Sequence, residues 1–273
     1  MTNIKKERVD VLLVDRGICE TREKAKRAIM AGIIYSGTER MNKPGEKILS
    51  DAPLQMKGND LKYVSRGGLK LEKALAEFDL SVEGKLMLDI GSSTGGFTDC
   101  ALQNGAAHCY ALDVGSNQLA WKIRQDERVT VMERTNFRHS KPEDFSNGLP
   151  EFATIDVSFI SLKIILPVLK TILVPGGDVI ALVKPQFEAG RENVGKKGII
   201  RDPKIHFDVL MKVAGFAAAA GFHIRNMSFS PITGGEGNIE FLFHLQSAHE
   251  NETAEPVSST WAQQTVKLAH EKL

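Results

Sequence analysis

The sequence predicts an α/β protein: a mostly parallel, doubly wound sheet preceded by a small α+β module. Three observations carry this reading. From Leu86 onward, short apolar runs alternate with amphipathic stretches, which is the texture of a βαβ series. The first run opens into a glycine-rich turn, Gly91-Ser-Ser-Thr-Gly-Gly96. The last two runs are joined by a short turn with no helix between them, so they pair antiparallel; a parallel crossover needs a dozen or more residues.

Taken in order, Val9, Leu12 and Leu13 place one face of a helix within Arg8–Arg16, ending near Gly17. Thr21 caps a second helix, Arg22–Ala31, which Gly32 closes and whose Ala25, Ala28 and Ile29 form the buried stripe. A strand over Ile33–Ser36 and a Pro/Gly-containing stretch, Asn42–Gly58, complete a minimal domain. The large domain starts with strand Leu86–Ile90, helix Phe97–Gln103 and strand His108–Asp113. A helix around Gln118–Arg124 follows, then strands Val129–Glu133 and Ala153–Val157 and helix Leu162–Leu173. Strand Asp178–Lys184, a polar loop over Glu188–Asp202 and helix Pro203–Ala220 lead to the hairpin of His223–Phe229 and Ile239–Leu245. A sheet ending in such a hairpin is the Rossmann-like arrangement of the seven-stranded methyltransferases. Residues 248–273 read as a polar tail with a terminal helix over Thr260–Leu273, to which no chemistry is assigned. The expected division is 1–60, a linker 61–64, 65–247 and the tail 248–273.

Composition excludes several classes. With 42% hydrophobic and 25% charged residues the chain is an ordinary globular protein. No apolar run approaches the ~18 residues of a membrane helix. The stretches Ile164–Val174 and Val213–Phe222 are interrupted by Pro167, Lys170, Gly215 and Gly221. Met1-Thr-Asn-Ile-Lys-Lys-Glu lacks the apolar core of a signal peptide. Cys19, Cys100 and Cys109 form no CxxC pair, so neither a disulfide framework nor a zinc site is indicated. The expectation is a reduced, cytoplasmic protein. A net charge of +1 does not announce a nucleic-acid partner, and on charge alone the excess of 12 basic over 9 acidic residues in 1–60 reads first as a solvated helix face.

The turn after the first strand suits either a dinucleotide or S-adenosylmethionine. Asp113, ending the second strand, is placed to accept from ribose hydroxyls in both cases. Ser93 stands where a dinucleotide fingerprint would want glycine. Asp89, at the mouth of the turn, would repel a pyrophosphate and attract an ammonium or sulfonium. It could also merely cap the turn. The expected cofactor residues are Asp89, Gly91, Ser92, Ser93, Thr94, Gly95, Gly96, Phe97, Asp113 and Val114.

Ligands of open parallel sheets bind at the carboxyl ends of the strands. Asp156 and Lys184 end two strands, Glu240 lies near the start of the reversed last strand, and Lys70 sits in Ser65-Arg-Gly-Gly-Leu-Lys-Leu71, before the first strand. Two lysines and two acids could converge there, a set suited to removing a proton from a ribose hydroxyl in line with a sulfonium methyl group. No metal is required, because the leaving group departs neutral.

The same segments closely resemble the TlyA (haemolysin A) family, an S4 RNA-binding domain followed by an FtsJ-like methyltransferase domain. The resemblance extends to about residue 246. It rests on Ser65–Leu71, Asp89-Ile-Gly-Ser-Ser-Thr-Gly-Gly-Phe-Thr98, Asp113-Val-Gly115 with Gln118-Leu119, Asp156-Val-Ser-Phe-Ile-Ser-Leu162, Lys184-Pro-Gln-Phe-Glu188, Ser230-Pro-Ile-Thr-Gly234 and Gly237-Asn-Ile-Glu-Phe241. It implies a Lys70, Asp156, Lys184, Glu240 tetrad with Lys184 as the central base or hydroxyl-activating residue. It further implies S-adenosylmethionine as cofactor and ribosomal RNA or ribosomal subunits as partner, with a cytidine ribose as target. Thr21 stands where the S4 pattern often has serine and keeps a hydroxyl cap. The implied RNA-facing residues are Arg8, Thr21, Arg22, Lys24, Lys26, Arg27, Arg66, Lys196, Lys197 and Arg201. As phosphate contacts they position RNA without reading its sequence. Three other readings stand beside this one: a non-enzymatic RNA-binding or ribosome-assembly factor, a membrane-active haemolysin, and an NAD-dependent reductase. Complete retention of the tetrad disfavours the first, and the lack of a spanning segment disfavours the second.

Overall fold

The computed structural model describes residues 5–30, 32–56, 62–195, 198–234, 237–254 and 257–273. Ala31, Asp60, Leu61, Lys196 and Lys197, which figure in the sequence reading, lie outside the described residues. The chain divides into two compact units, Met1–Arg66 and Gly67–Leu273.

In the first unit, strand β1 (Lys6–Arg8) runs into helix α1 (Val9–Asp15), followed by helix α2 (Arg22–Met30). Strands β2 (Ile34–Ser36), β3 (Glu39–Arg40), β4 (Lys47–Leu49) and β5 (Leu54–Met56) complete it. β1 pairs with β4, and β2 lies between β3 and β5. Val9, Leu12 and Leu13 of α1 meet Ala25, Ala28 and Ile29 of α2 over Ile34, Met41 and Leu54. The helical period thus seals a core around very short strands.

The second unit opens with helix α3 (Gly67–Glu77), which the sequence reading left unassigned. Its two leading glycines have poor helix propensity, but Leu71, Ala74 and Leu75 recur at helical spacing and are buried. Tertiary burial outweighs the local preference. Strand β6 (Leu86–Ile90), helix α4 (Gly96–Gln103), strand β7 (His108–Asp113), the short helix α5 (Trp121–Arg124) and strand β8 (Val129–Glu133) follow. Next come β9 (Phe152–Ile155), α6 (Leu162–Ile172), β10 (Asp178–Val183), the single turn α7 (Pro185–Glu188) and α8 (Pro203–Ala219). The hairpin strands β11 (Phe222–Phe229) and β12 (Phe241–Ser247) and helix α9 (Ser259–Lys272) end the chain.

These strands form one seven-stranded sheet in the order β11-β12-β10-β9-β6-β7-β8. β12 is antiparallel to both β10 and β11, and the remaining pairs are parallel. The expected α/β class with a terminal hairpin is therefore the observed one. The order in which strands are added switches sides between β6 and β9, which are parallel, so the loops after these adjacent strands diverge and open a crevice at their carboxyl ends. α9 packs Ala262, Val266 and Ala269 into the main core, so the polar tail ends in a docked helix. Among the described residues no helix is long and apolar enough to cross a membrane.

Candidate active site

The crevice is built first from the turn after β6. Gly91 adopts φ +87°, and a Cβ there would lie 2.4 Å from the Asp156 carbonyl oxygen. Only glycine lets the turn approach the end of β9 so closely. Gly95, at φ +94°, is the N-cap of α4. The Ser93 amide donates to Asp113 Oδ2 at 2.8 Å, and the Gly115 amide to Oδ1 at 2.7 Å, so Asp113 ties the turn to the loop after β7.

Of the two sequence readings of Asp89, a face for a cationic ligand and a cap of the turn, the structure agrees with the second. Its carboxylate turns inward and is fully buried. Oδ2 accepts from the Thr98 amide at 3.1 Å and the Thr98 hydroxyl at 2.7 Å, and Oδ1 accepts from the Thr154 hydroxyl at 2.9 Å. Burial raises the Asp89 carboxyl to about 6, with the threonine hydrogen bonds opposing the shift. Thr98 is in the first turn of α4, so Asp89 caps that helix from behind. The anion-attracting end of α4 therefore already carries an internal carboxylate.

A cavity of about 390 Å³ lies over this turn. Gly91, Ser93, Asp113 and Val114 of the expected cofactor residues line it, whereas Ser92, Thr94, Gly95, Gly96 and Phe97 form the turn and helix start beneath. Gln118, Asn136 and Phe159 also line it and escaped the sequence reading as ligand-contacting groups. Gln118 and Phe159 stood inside quoted motifs, while Asn136, just past β8, carried no local signal. Among the described residues the lining contains Asp113 and Asp156 but no lysine or arginine. A pyrophosphate would meet carboxylates here and find no cation. A cationic, phosphate-free nucleoside suits the cavity better.

Beside the cavity, four remote residues meet. Lys70, in α3, donates to Glu240 Oε2 at 2.7 Å and lies 3.4 Å from Asp156 Oδ2. Lys184 Nζ is 2.5 Å from Asp156 Oδ1 and donates to Ser158 Oγ at 3.2 Å. Asp156 is one residue past β9, Lys184 one past β10, and Glu240 immediately before β12. Parallel and reversed strands thus deliver all three to one edge. Gly234 makes room for Glu240, since a Cβ there would fall 2.1 Å from its Oε1. Burial by itself lowers the Lys70 ammonium, but attraction to Asp156 and Glu240 outweighs it and the net shift is upward. Burial likewise pushes Asp156 up, and the two lysines more than offset that, holding it below the usual carboxylate range. Lys70 is accordingly a fixed cation.

In the first unit, Asp10 is fully buried and held between two arginines. Arg8 Nε and Nη2 donate to its two oxygens at 2.9 and 3.0 Å, and Arg22 Nη2 donates at 3.0 Å. The Arg8 hydrogen bond, with Arg22 adding to it, draws the Asp10 carboxyl down to about 2. Arg8 and Arg22, expected to face RNA, therefore also brace the fold, while about half of each side chain stays exposed. Lys24 pairs with Glu20 and Lys26 with Glu23. Thr21 accepts from the Lys24 amide at 3.2 Å and caps α2. Arg27 and Arg201 are exposed, and Arg66 is half-buried at the unit's end.

Comparison with known proteins gives two domain matches: FtsJ-like methyltransferase over residues 63–247 and S4 domain over residues 7–52. YqxC of Bacillus subtilis is 68% identical over 98% of this chain and 96% of its own length. The 16S/23S rRNA (cytidine-2′-O)-methyltransferase TlyA of Mycobacterium tuberculosis is 39% identical over 89% of this chain and 91% of its own. A solved Streptococcus thermophilus structure that bears the name hemolysin is 56% identical, covers 98% of this chain and 97% of its own, and superposes with a TM-score of 0.79.

Proposed function

The chain belongs to the TlyA (haemolysin A) family of FtsJ-like methyltransferases with an N-terminal S4 domain, and from that premise we propose that it methylates the ribose 2′-hydroxyl of a cytidine in ribosomal RNA, using Lys70, Asp156, Lys184 and Glu240. One observation carries the reading. A continuous ion-pair chain, Glu240–Lys70–Asp156–Lys184, borders the cavity over the glycine turn, and Asp156 belongs to both.

S-adenosylmethionine supplies a methyl group on a sulfonium, which leaves as a neutral thioether. Gly91, Ser93, Asp113, Val114 and Gln118 would hold it, with Asp113 and Asp156 in the wall to suit its charge. Lys184 is the residue that moves a proton. In its neutral form its Nζ accepts the hydroxyl proton while the ribose oxygen forms its bond to the methyl carbon. Asp156, 2.5 Å away, stabilises the ammonium that results. Lys70 keeps Asp156 ionised and aimed, and Glu240 fixes Lys70 in turn. Arg22, Lys24, Lys26 and Arg27 bind phosphates and supply affinity without sequence choice.

The test is methyl transfer from labelled S-adenosylmethionine to ribosomal RNA, with mass mapping of nucleosides to find 2′-O-methylcytidine. Lys184→Ala is expected to abolish transfer and to leave cofactor binding within a few-fold. Turnover retained in that variant would remove Lys184 from the mechanism. Methylation of bases instead of ribose would overturn the reaction class.

A further inference from the structure

We propose that Glu133, outside the cavity, is a positioning residue for the cofactor, because its carboxylate gathers the loop that forms one cavity wall. The inference rests on S-adenosylmethionine as the cavity's ligand. Glu133 ends β8 and turns its side chain towards the loop between β7 and α5. Oε2 accepts from the Asn117 amide at 2.8 Å. Oε1 accepts from the Gln118 and Leu119 amides at 3.0 and 3.3 Å and from Arg124 Nη2 at 2.6 Å. Three consecutive backbone donors and one guanidinium thus converge on a single carboxylate. The Arg134 amide adds a bond to the Gly115 carbonyl at 2.9 Å.

The grip has a visible cost. Asn117 is held at φ +55°, a left-handed conformation uncommon outside glycine. The helix expected from Gln118 begins only at Trp121. The gathered loop presents Gln118 to the cavity, where it accepts from Ser93 Oγ at 3.3 Å. It also seats Leu119 against the glycine turn, with Cδ1 2.8 Å from where a Cβ of Gly95 would be. Glu133 does not itself line the cavity, and it reaches it through this loop, whose Gln118 does. Burial pushes its carboxyl up, and the Arg124 and backbone donors more than reverse that, so it is ionised at every working pH.

The test is Glu133→Gln in the full chain. An amide would present N–H to one set of donors that now meets oxygen. Charge-assisted bonds are the stronger kind, so the Kd for S-adenosylmethionine by calorimetry, with ribosomal RNA present, is expected to rise about tenfold. kcat at saturating cofactor stays within about twofold and the KM for RNA does not move. Glu133→Asp keeps the charge but shortens the reach, and is expected to fall between wild type and Glu133→Gln. If Glu133→Gln does not fold, Arg124→Met takes its place; it leaves the three backbone bonds, and about a threefold rise is expected. An unchanged Kd in the folded variant, or a fall in kcat with Kd unchanged, overturns the role. Wild-type protein that binds no S-adenosylmethionine overturns the underlying reading as well, which separates the two failures.

Discussion

Lys70→Met removes the cation that Glu240 and Asp156 share. Glu240 is 3% exposed and Lys70 9%, so neither finds water as a substitute partner. Asp156 keeps Lys184 at 2.5 Å, which leaves Glu240 as the stranded charge. Removing one member of a buried pair costs ~3–5 kcal/mol, because the remaining charge stays desolvated. In a unit of this size each kcal/mol moves Tm by roughly 2–4 °C, so a fall on the order of 10 °C is expected. The double variant Lys70→Met/Glu240→Met removes both charges and regains most of that stability, since apolar replacement of a buried pair is often close to neutral. Methyl transfer is not regained, because Asp156 has lost the cation that orients it. Thermal melts followed by circular dichroism and a labelled-methyl assay on the same samples check both statements. A single variant melting with wild type would refute the buried pairing. A double variant no more stable than the single would show that Glu240 is not the source of the loss, and an active double variant would dismiss the pair from catalysis.

Three further outcomes follow from the geometry. Asp89 titrates at about 6 in the fold against an ordinary 3.8, so its protonated form contributes stability fully below pH ~4, and this is lost as pH rises through about 6, roughly 3 kcal/mol in all. Asp89→Asn is expected to flatten that segment of the stability profile; a slope preserved in denaturant titrations across pH would contradict the assignment. Gly91→Ala places a Cβ against the Asp156 carbonyl at a left-handed φ, so cofactor affinity should drop at least about tenfold by calorimetry, and unaltered binding would mean the turn can retreat. Arg22→Ala should both weaken RNA binding and lower the melting point through Asp10, whereas Arg27→Ala should only weaken binding and reduce its salt slope by about one. Equal melting losses in the two would refute the bracing role of Arg22.

Sheet class, the antiparallel terminal hairpin and the convergence of Asp156, Lys184 and Glu240 were legible because apolar period and strand ends are local features of the chain. Lys70 was placed at the right edge without its helix, since the glycines at 67 and 68 mask a stripe that only burial reveals. Asp89 was left between two readings for a different reason. Its partners, Thr98 and Thr154, are 9 and 65 residues away, and which of them faces a carboxylate is decided by packing. The loop before α5 is hidden in the same way: an amphipathic reading of 118–124 cannot register that its amides donate to Glu133, from the next strand. The doubled duty of Arg8 and Arg22 is equally invisible without seeing that Asp10 is buried.

The Lys70–Glu240 contact closes 170 residues of sequence. At ~5–20 residues per second of synthesis, the interval between the appearance of the two on the ribosome is on the order of 10–30 s. Throughout it the ammonium and the nascent sheet exist without their last partner. A product that stops before Glu240 therefore carries the turn that lines the cavity but leaves Lys70 without its Glu240 partner.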